Sequence, residues 1–413
     1  MRLLFVVALL LPVVLFAQGA FPNAFSGGGW GGATPVSEDL LIHAYNNMMA
    51  GNYTTAEQQY RELSFREPNN LSAWEGLLWA YNAQGKLKVS LKLSAKLIKQ
   101  YPDNASFFNY RAYPLLVHSR YPEARYYYQK AYKEQRGNLM ANQISQEGLA
   151  YTYQGLGDYP RHYQHLNASS ALSGIPAPKP RLGFRSTVAY VLPDKNKSSI
   201  SFSQGISYKS WRTSIGYEDF SLEKQHFRSI SSASLSMQFK PFDIKAGASL
   251  LDGIDERIYP AQQYSAELTP KLYLGKIVFY PSIMGSFSHY PRFDVQQLSF
   301  LPQLMWRDIN INYAAHYSFM DNETVNADST RFAQQVLITK SLPMDVTLGL
   351  HYGNGDYCWM VDASGTIMDT FNQQSAYYGV SLLIPFFNRF SVYAYHNRQD
   401  ERQLWYASLT VRY

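Results

Sequence analysis

A lone cysteine, Cys358, in 413 residues excludes an internal disulfide framework and any structural zinc site built on cysteine thiolates. Charge is also scarce. Lys, Arg, Asp and Glu together make 16% of the chain, against about 25% in an ordinary soluble domain. Past the first twenty residues no run of about 18 apolar residues occurs, which excludes membrane-spanning helices. The net charge of +6 comes without a dense Lys/Arg block, so nucleic acid is not an expected partner. No Walker loop, dinucleotide fingerprint or strand-turn-helix serine elbow is present. His162 and His165 stand three apart on an expected helix, with no acidic residue to complete a ligand set. No catalytic residue, metal or cofactor is expected, and the chain does not read as an enzyme. Tyrosine, by contrast, is plentiful: 34 Tyr accompany 23 Phe and 7 Trp.

The two ends carry export signals. Met1-Arg2 precedes an apolar core from Leu3 to Ala17 and then Gln18-Gly19-Ala20, the pattern of a secretory signal over residues 1–19. Residues 20–36 read as a flexible glycine-rich spacer. At the other end Trp405, Ala407, Leu409, Val411 and Tyr413 alternate with Tyr406, Ser408, Thr410 and Arg412. A period of two places the first set on one face of a strand. This resembles the terminal strand of bacterial outer-membrane β-barrels, whose final aromatic is read by the barrel-assembly machinery. The resemblance implies that machinery as a partner, engaged through Tyr413.

Residues 37–170 read as helical, with a period of 34. Pro68 and Pro102 are 34 apart, as are Gly51 and Gly85, and Ala56 and Tyr60 recur two periods on as Ala124 and Tyr128. The second repeat carries Trp74, Leu77, Tyr81, Gly85 and Pro102. The third has Ser119 where a glycine is expected and Pro114 inside its first helix, and the fourth fits after a four-residue shift through Leu149, Ala150, Tyr153 and Gly157. The pattern resembles the tetratricopeptide repeat. One helix pair cannot bury its apolar stripe alone, so neighbours stack and leave a concave face lined by the first helix of each pair. The same mid-helix place in the four repeats holds Tyr45, Trp79, Tyr113 and Tyr151. In tetratricopeptide proteins that place lines the ligand groove; the alternative is that these rings pack between helices.

Gly174-Ile175-Pro176-Ala177-Pro178-Lys179-Pro180 blocks both helix and ladder hydrogen bonding, and residues 171–180 read as a stiff linker. From residue 181 to 413 the apolar period becomes two. Short connections near Lys209, Lys240-Pro241, Gly275, Asp308, Leu342-Pro343 and Asn388 recur about every 33 residues, and sixteen of the twenty acidic residues fall in longer polar stretches such as Glu218–Gln225 and Asp252–Gln262. Tight turns on one edge and long loops on the other suit an antiparallel transmembrane β-barrel. Fourteen strands are expected, with twelve as the alternative count. The fold class is therefore α+β multidomain: an N-terminal α-solenoid followed by a C-terminal barrel. The face opposite the apolar one carries Arg185, Arg212, Arg228, Lys245, Lys271 and Arg412 against one carboxylate, Glu267, and this basic set is expected to line the lumen. Folded-in loop carboxylates such as Asp252 or Asp255 are the alternative fate of that charge.

Signal, helical repeats, proline linker and terminal barrel, in that order, are similar to YaiO-like outer-membrane proteins and, in architecture, to exopolysaccharide-export porins. The resemblance implies the outer membrane of a Gram-negative bacterium, with the repeats in the periplasm and the barrel in contact with outer-membrane lipid. It further implies a transport or export role, in which the repeats hold a periplasmic protein or a polysaccharide. A non-conducting anchor for a periplasmic assembly is the second expectation, and a barrel enzyme acting on lipid or polysaccharide the third.

Overall fold

The computed structural model describes residues 35–135, 137–193, 197–222, 225–253, 262–290, 293–321, 330–342, 346–355, 376–386, 390–399 and 402–412. The signal at 1–19, most of the spacer, Cys358 and Tyr413 lie outside the described residues, as do the side chains of Arg228 and Arg412. The chain forms two compact units.

Among the described residues the first unit, residues up to Tyr153 with Gln164–Ala177, has eight helices: α1 (Pro35–Met49), α2 (Tyr53–Arg66), α3 (Leu71–Ala83), α4 (Leu87–Gln100), α5 (Ala105–Val117), α6 (Tyr121–Glu134), α7 (Leu139–Gly155) and the greater part of α8 (Tyr159–Ser173). The 34-residue period is also a period of helix starts. Asn70, Asn104 and Asn138 precede α3, α5 and α7, and each side-chain Oδ1 accepts the backbone N–H three residues on, at 3.1, 3.3 and 2.9 Å. Such caps satisfy amide groups that the first turn leaves without partners.

The tight turns recur as well. Gly51, Gly85 and Gly157 have φ of 80, 70 and 74°, and Ser119 adopts φ 56° at the equivalent place. A left-handed residue is what ends one helix and starts the next within so few residues. Pro114 does not interrupt α5, which runs on to Val117. Ala56, Ser90 and Ala124, again 34 apart, are fully buried, as are Tyr60, Leu63 and Leu97.

The second unit comprises Gln154–Tyr163 and Pro178–Tyr413. The strands are β1 (Gly183–Pro193), β2 (Lys197–Tyr208), β3 (Trp211–Leu222), β4 (Gln225–Gln238), β5 (Phe242–Gly253), β6 (Gln262–Pro270), β7 (Leu272–Leu274), β8 (Ile277–His289), β9 (Asp294–Trp306), β10 (Ile309–Asp321), β11 (Thr330–Ser341), β12 (Thr347–Gly355), β13 (Tyr377–Phe386), β14 (Phe390–Gln399) and β15 (Arg402–Arg412). β6 and β7 both pair with β8 and are two pieces of one strand broken at Lys271. The ring therefore has fourteen strands. Every neighbour is antiparallel, and β1 closes onto β15 with Val188 opposite Leu409.

Parity follows the sequence. Every strand presents exposed large apolar side chains on one face, among them Val188, Ile215, Leu250, Leu298, Leu350 and Tyr378. The alternate, buried face is rich in polar residues, Ser249, Gln263, Ser286, Ser299, His316 and Ser381 among them, with Val278, Tyr280, Met284 and Val295 interspersed. An apolar outside around a polar inside inverts the arrangement a water-soluble barrel needs. It suits lipid, where closure also pairs every strand edge.

The strands are longer than polarity suggested. Glu218 and Asp219 lie within β3, Asp252 within β5, and β3 and β4 leave only residues 223–224 between them. β14 and β15 likewise leave only 400–401 of the expected loop His396–Gln403. Backbone pairing continues past the apolar band because ladder hydrogen bonds do not depend on side-chain polarity; the register slips only between Phe220 and Ser221.

Candidate functional site

In the helical unit Tyr45, Trp79, Tyr113 and Tyr151 sit on α1, α3, α5 and α7, and all four are half-buried. The Tyr45 and Trp79 rings lie 6.2 Å apart, tilted by 47°. Burial raises the hydroxyl pKa of Tyr45, Tyr113 and Tyr151, so all three stay neutral phenols, donors as well as acceptors.

The face holds two carboxylates that sequence reasoning missed. Glu75 and Glu147 each stand four residues before a ladder residue, Trp79 and Tyr151, and so share its helix face. Asn104 donates to Glu75 at 3.3 Å. Burial raises the Glu75 carboxyl pKa, Asn104 and Ser106 drawing it back only in part. Glu147 is lifted by burial from about 4.5 to about 7, which leaves it half-protonated at neutral pH. The signal was present: an acid at the same offset in two repeats, disguised in the second by the four-residue shift. His165 Nδ1 lies 2.6 Å from Gln146 Oε1 and its ring stacks on Tyr153.

The barrel unit places the basic set unevenly. Arg185 and Arg212 are exposed, Lys245 is half-buried opposite Glu267 in the β5–β6 register, and Lys271 is buried. Lys271 forms ion pairs with Asp243 at 2.6 Å and Asp158 at 3.4 Å. Asp158, only 1% exposed, also pairs with Arg161 and accepts from the Tyr273 hydroxyl, both at 2.6 Å. Lys271 is thus met by Asp158 and Asp243 from the short-turn side; Asp255 lies outside the described residues. Around this cluster Arg212, Gln238, Glu267 and Ser282 line a cavity of about 240 Å³. The Arg212 guanidinium lies 4.9 Å from the centre of the Tyr159 ring. These partners come from inward-facing positions of β3 to β9, so Asp158 lies on the polar side of the wall.

Comparison with known proteins adds to this geometry. The tetratricopeptide repeat family model matches residues 44–93 and 93–138. The match takes in part of α1 and the whole of α2 to α6. No curated protein matches the chain. Among solved structures, the outer membrane protein Omp33 of Acinetobacter baumannii is similar at 11% identity, over 57% of this chain and 99% of that one, with a TM-score of 0.35. The KdgM porin is similar at 10% identity, over 55% and 98%, with a TM-score of 0.30. A thermophilic TPR protein of Thermus thermophilus matches at 14% identity, over 33% and 74%, with a TM-score of 0.30. These likenesses concern fold alone. The closed sheet stands on its own strand pairing, and helical repeats of this kind form extended concave binding surfaces.

Proposed function

We propose that this chain is an outer-membrane transport component whose repeats face the periplasm and hold a partner, while the barrel provides a path. The observation that carries this reading is the parity of the closed sheet, apolar toward lipid and lined inside by Ser, Gln, His and Thr. A polar lining is what a water-filled passage requires. The order of signal, repeats, linker and barrel supports a likeness to the YaiO-like proteins and to the exopolysaccharide-export porins. An aromatic ladder along the groove suits a partner protein or a polymer chain. Reconstitution of the purified chain in planar bilayers tests this. Discrete conductance steps are expected, with only weak anion preference because Lys271 is paired.

One observation favours a second reading. Asp158 is buried among inward-facing side chains at the short-turn ends of the strands, which narrows the interior there. In that reading the barrel is a non-conducting anchor and the repeats are an assembly platform. Absence of conductance from correctly folded protein would decide for it.

A further inference from the structure

We propose that the concave face of the repeats takes a lysine- or arginine-bearing segment of a partner protein, its cations lodging beside Glu75 and Glu147 against the aromatic ladder. The inference rests on the reading of that face as a binding groove and adds the chemistry of its occupant.

Charge is partitioned between the two layers of helices. The inner helices α1, α3, α5 and α7 hold one cation, Arg111, and four acids. Arg111 is engaged elsewhere: it donates to the Leu91 carbonyl at 2.7 Å and lies over the Tyr127 ring. The outer helices α2, α4 and α6 hold nine cations against four acids, and the cations of α4, Lys88, Lys92, Lys96 and Lys99, are all exposed. The groove side is thus acidic and the opposite side basic.

The groove also supplies acceptors that no cation satisfies. Among the described residues no cation is paired with Glu75 or Glu147, and Asn82 Oδ1, one turn beyond Trp79, is buried without a hydrogen-bond partner. An ammonium or guanidinium group brings only donors, and aromatic faces attract it further. The 47° tilt between Tyr45 and Trp79 does not form the flat platform that a sugar ring would stack on. Charge complementarity therefore favours a basic peptide over a neutral polysaccharide.

Glu147 meets the phenols of Tyr128 from α6 and Tyr151 from its own helix, both held neutral by burial. Glu147 adds its negative charge to the site as pH rises through about 7.

The test uses the full chain in detergent micelles and fluorescence anisotropy with three probes: a labelled peptide alternating lysine and serine, the same peptide with glutamate for lysine, and a labelled neutral oligosaccharide. The lysine peptide is expected to bind, and Glu75→Gln or Glu147→Gln to weaken it about tenfold. Glu62→Gln, on the outer helix α2, should leave binding unchanged. Affinity should rise from pH 6 to pH 8 in the wild type, with that rise abolished in Glu147→Gln. Equal affinity in the two variants and the wild type, equal capture of the glutamate peptide, or no binding of the lysine peptide overturns the proposal. If the oligosaccharide alone binds, and Trp79→Ala removes it, the groove stands and its cationic occupant falls. Bilayer conductance reads the transport function separately.

Discussion

The ring of Tyr60 fills the space that a side chain on Gly76 would occupy: a Cβ built there falls among the ring atoms. Tyr60 is 1% exposed and cannot swing into solvent. Two periods on, Tyr128 meets Gly148 in the same way. In the intervening pair the sizes are exchanged, with Ser94 at the tyrosine place and Tyr110 at the glycine place. Each junction between repeats therefore holds one large and one small residue. Gly76→Ala should destabilise the repeats by about 1–3 kcal/mol through overpacking, although alanine is the better helix former by about 1 kcal/mol. Thermal loss of the helical circular-dichroism signal checks it. Tyr60→Ser should cost less in the Gly76→Ala chain than in the wild type, a coupling that independent sites would not show.

Ser119 supplies a prediction of opposite sign. Its φ of 56° is a conformation that costs an L-residue roughly 1–2 kcal/mol, and glycine holds the matching places at 51, 85 and 157. Glycine relieves that strain but widens the unfolded ensemble, which costs about 0.4–1 kcal/mol. Ser119→Gly is expected to raise the helical melting transition by a net gain below about 1 kcal/mol. A fall would show that the hydrogen bond between Tyr121 and Ser119 outweighs the strain.

These two positions also show what the sequence made legible. Turn glycines, N-cap asparagines and small core residues recur because backbone geometry demands them at each repeat, so a 34-residue period is visible without knowledge of contacts. The strands were legible for a similar reason, since a closed wall with an apolar outer face and a polar inner one imposes alternation. The strand ends at Glu218–Leu222 were not, because ladder hydrogen bonds extend through polar residues as readily as apolar ones. Nor was the position of Asp158 in the barrel unit. A turn of the form Gly157-Asp158-Tyr159-Pro160 reads only as a helix start, and its partners Asp243, Lys271 and Tyr273 lie more than eighty residues away. Glu147 was hidden by the four-residue shift of its repeat.

Glu147 predicts a pH dependence of stability. Its carboxyl is raised in the folded chain from about 4.5 to about 7, so the folded state binds the proton more tightly than the unfolded one. The stabilisation is fully present below about pH 4.5 and is lost as pH rises toward 7. Above that the buried carboxylate carries a constant penalty on the order of 3 kcal/mol. Glu147→Gln should therefore melt at a higher temperature than the wild type at pH 8, match it near pH 4.5, and flatten the slope between. A residue kept for packing would not be improved by its own neutralisation. An unchanged pH profile would place Glu147 in contact with water instead.

The cluster around Lys271 predicts an order of severity. Lys271 stands between Asp158 and Asp243, so Lys271→Ala leaves two carboxylates facing each other with Arg161 engaging only one. Removal of one partner from a buried ion pair costs about 3–5 kcal/mol. Asp158→Asn keeps an acceptor for the Tyr273 hydroxyl and leaves Lys271 with Asp243, a loss of about 1–3 kcal/mol. The temperature at which the folded band shifts on unboiled gels should fall further for Lys271→Ala. Equal falls would mean that Asp243 does not share the lysine.

Closure of the barrel is open to a direct chemical check at Thr187 and Thr410. These residues are register partners in the β1–β15 pair, 223 positions apart in sequence, and their hydroxyl oxygens lie 3.2 Å from each other. Cysteines at directly opposed places in an antiparallel pair come within the Cα separation that a disulfide tolerates, about 4.4–6.8 Å. With Cys358→Ser to remove the native thiol, Thr187→Cys/Thr410→Cys should oxidise to a single intramolecular bond. That bond should hold the barrel in its compact gel form to a higher temperature and release it on reduction. Moving one cysteine by a single residue, to Leu409, turns its side chain to the opposite face of the wall and should abolish the bond. Cross-linking of the shifted pair, or its failure in the matched pair, would mean that the first and last strands do not meet in this register.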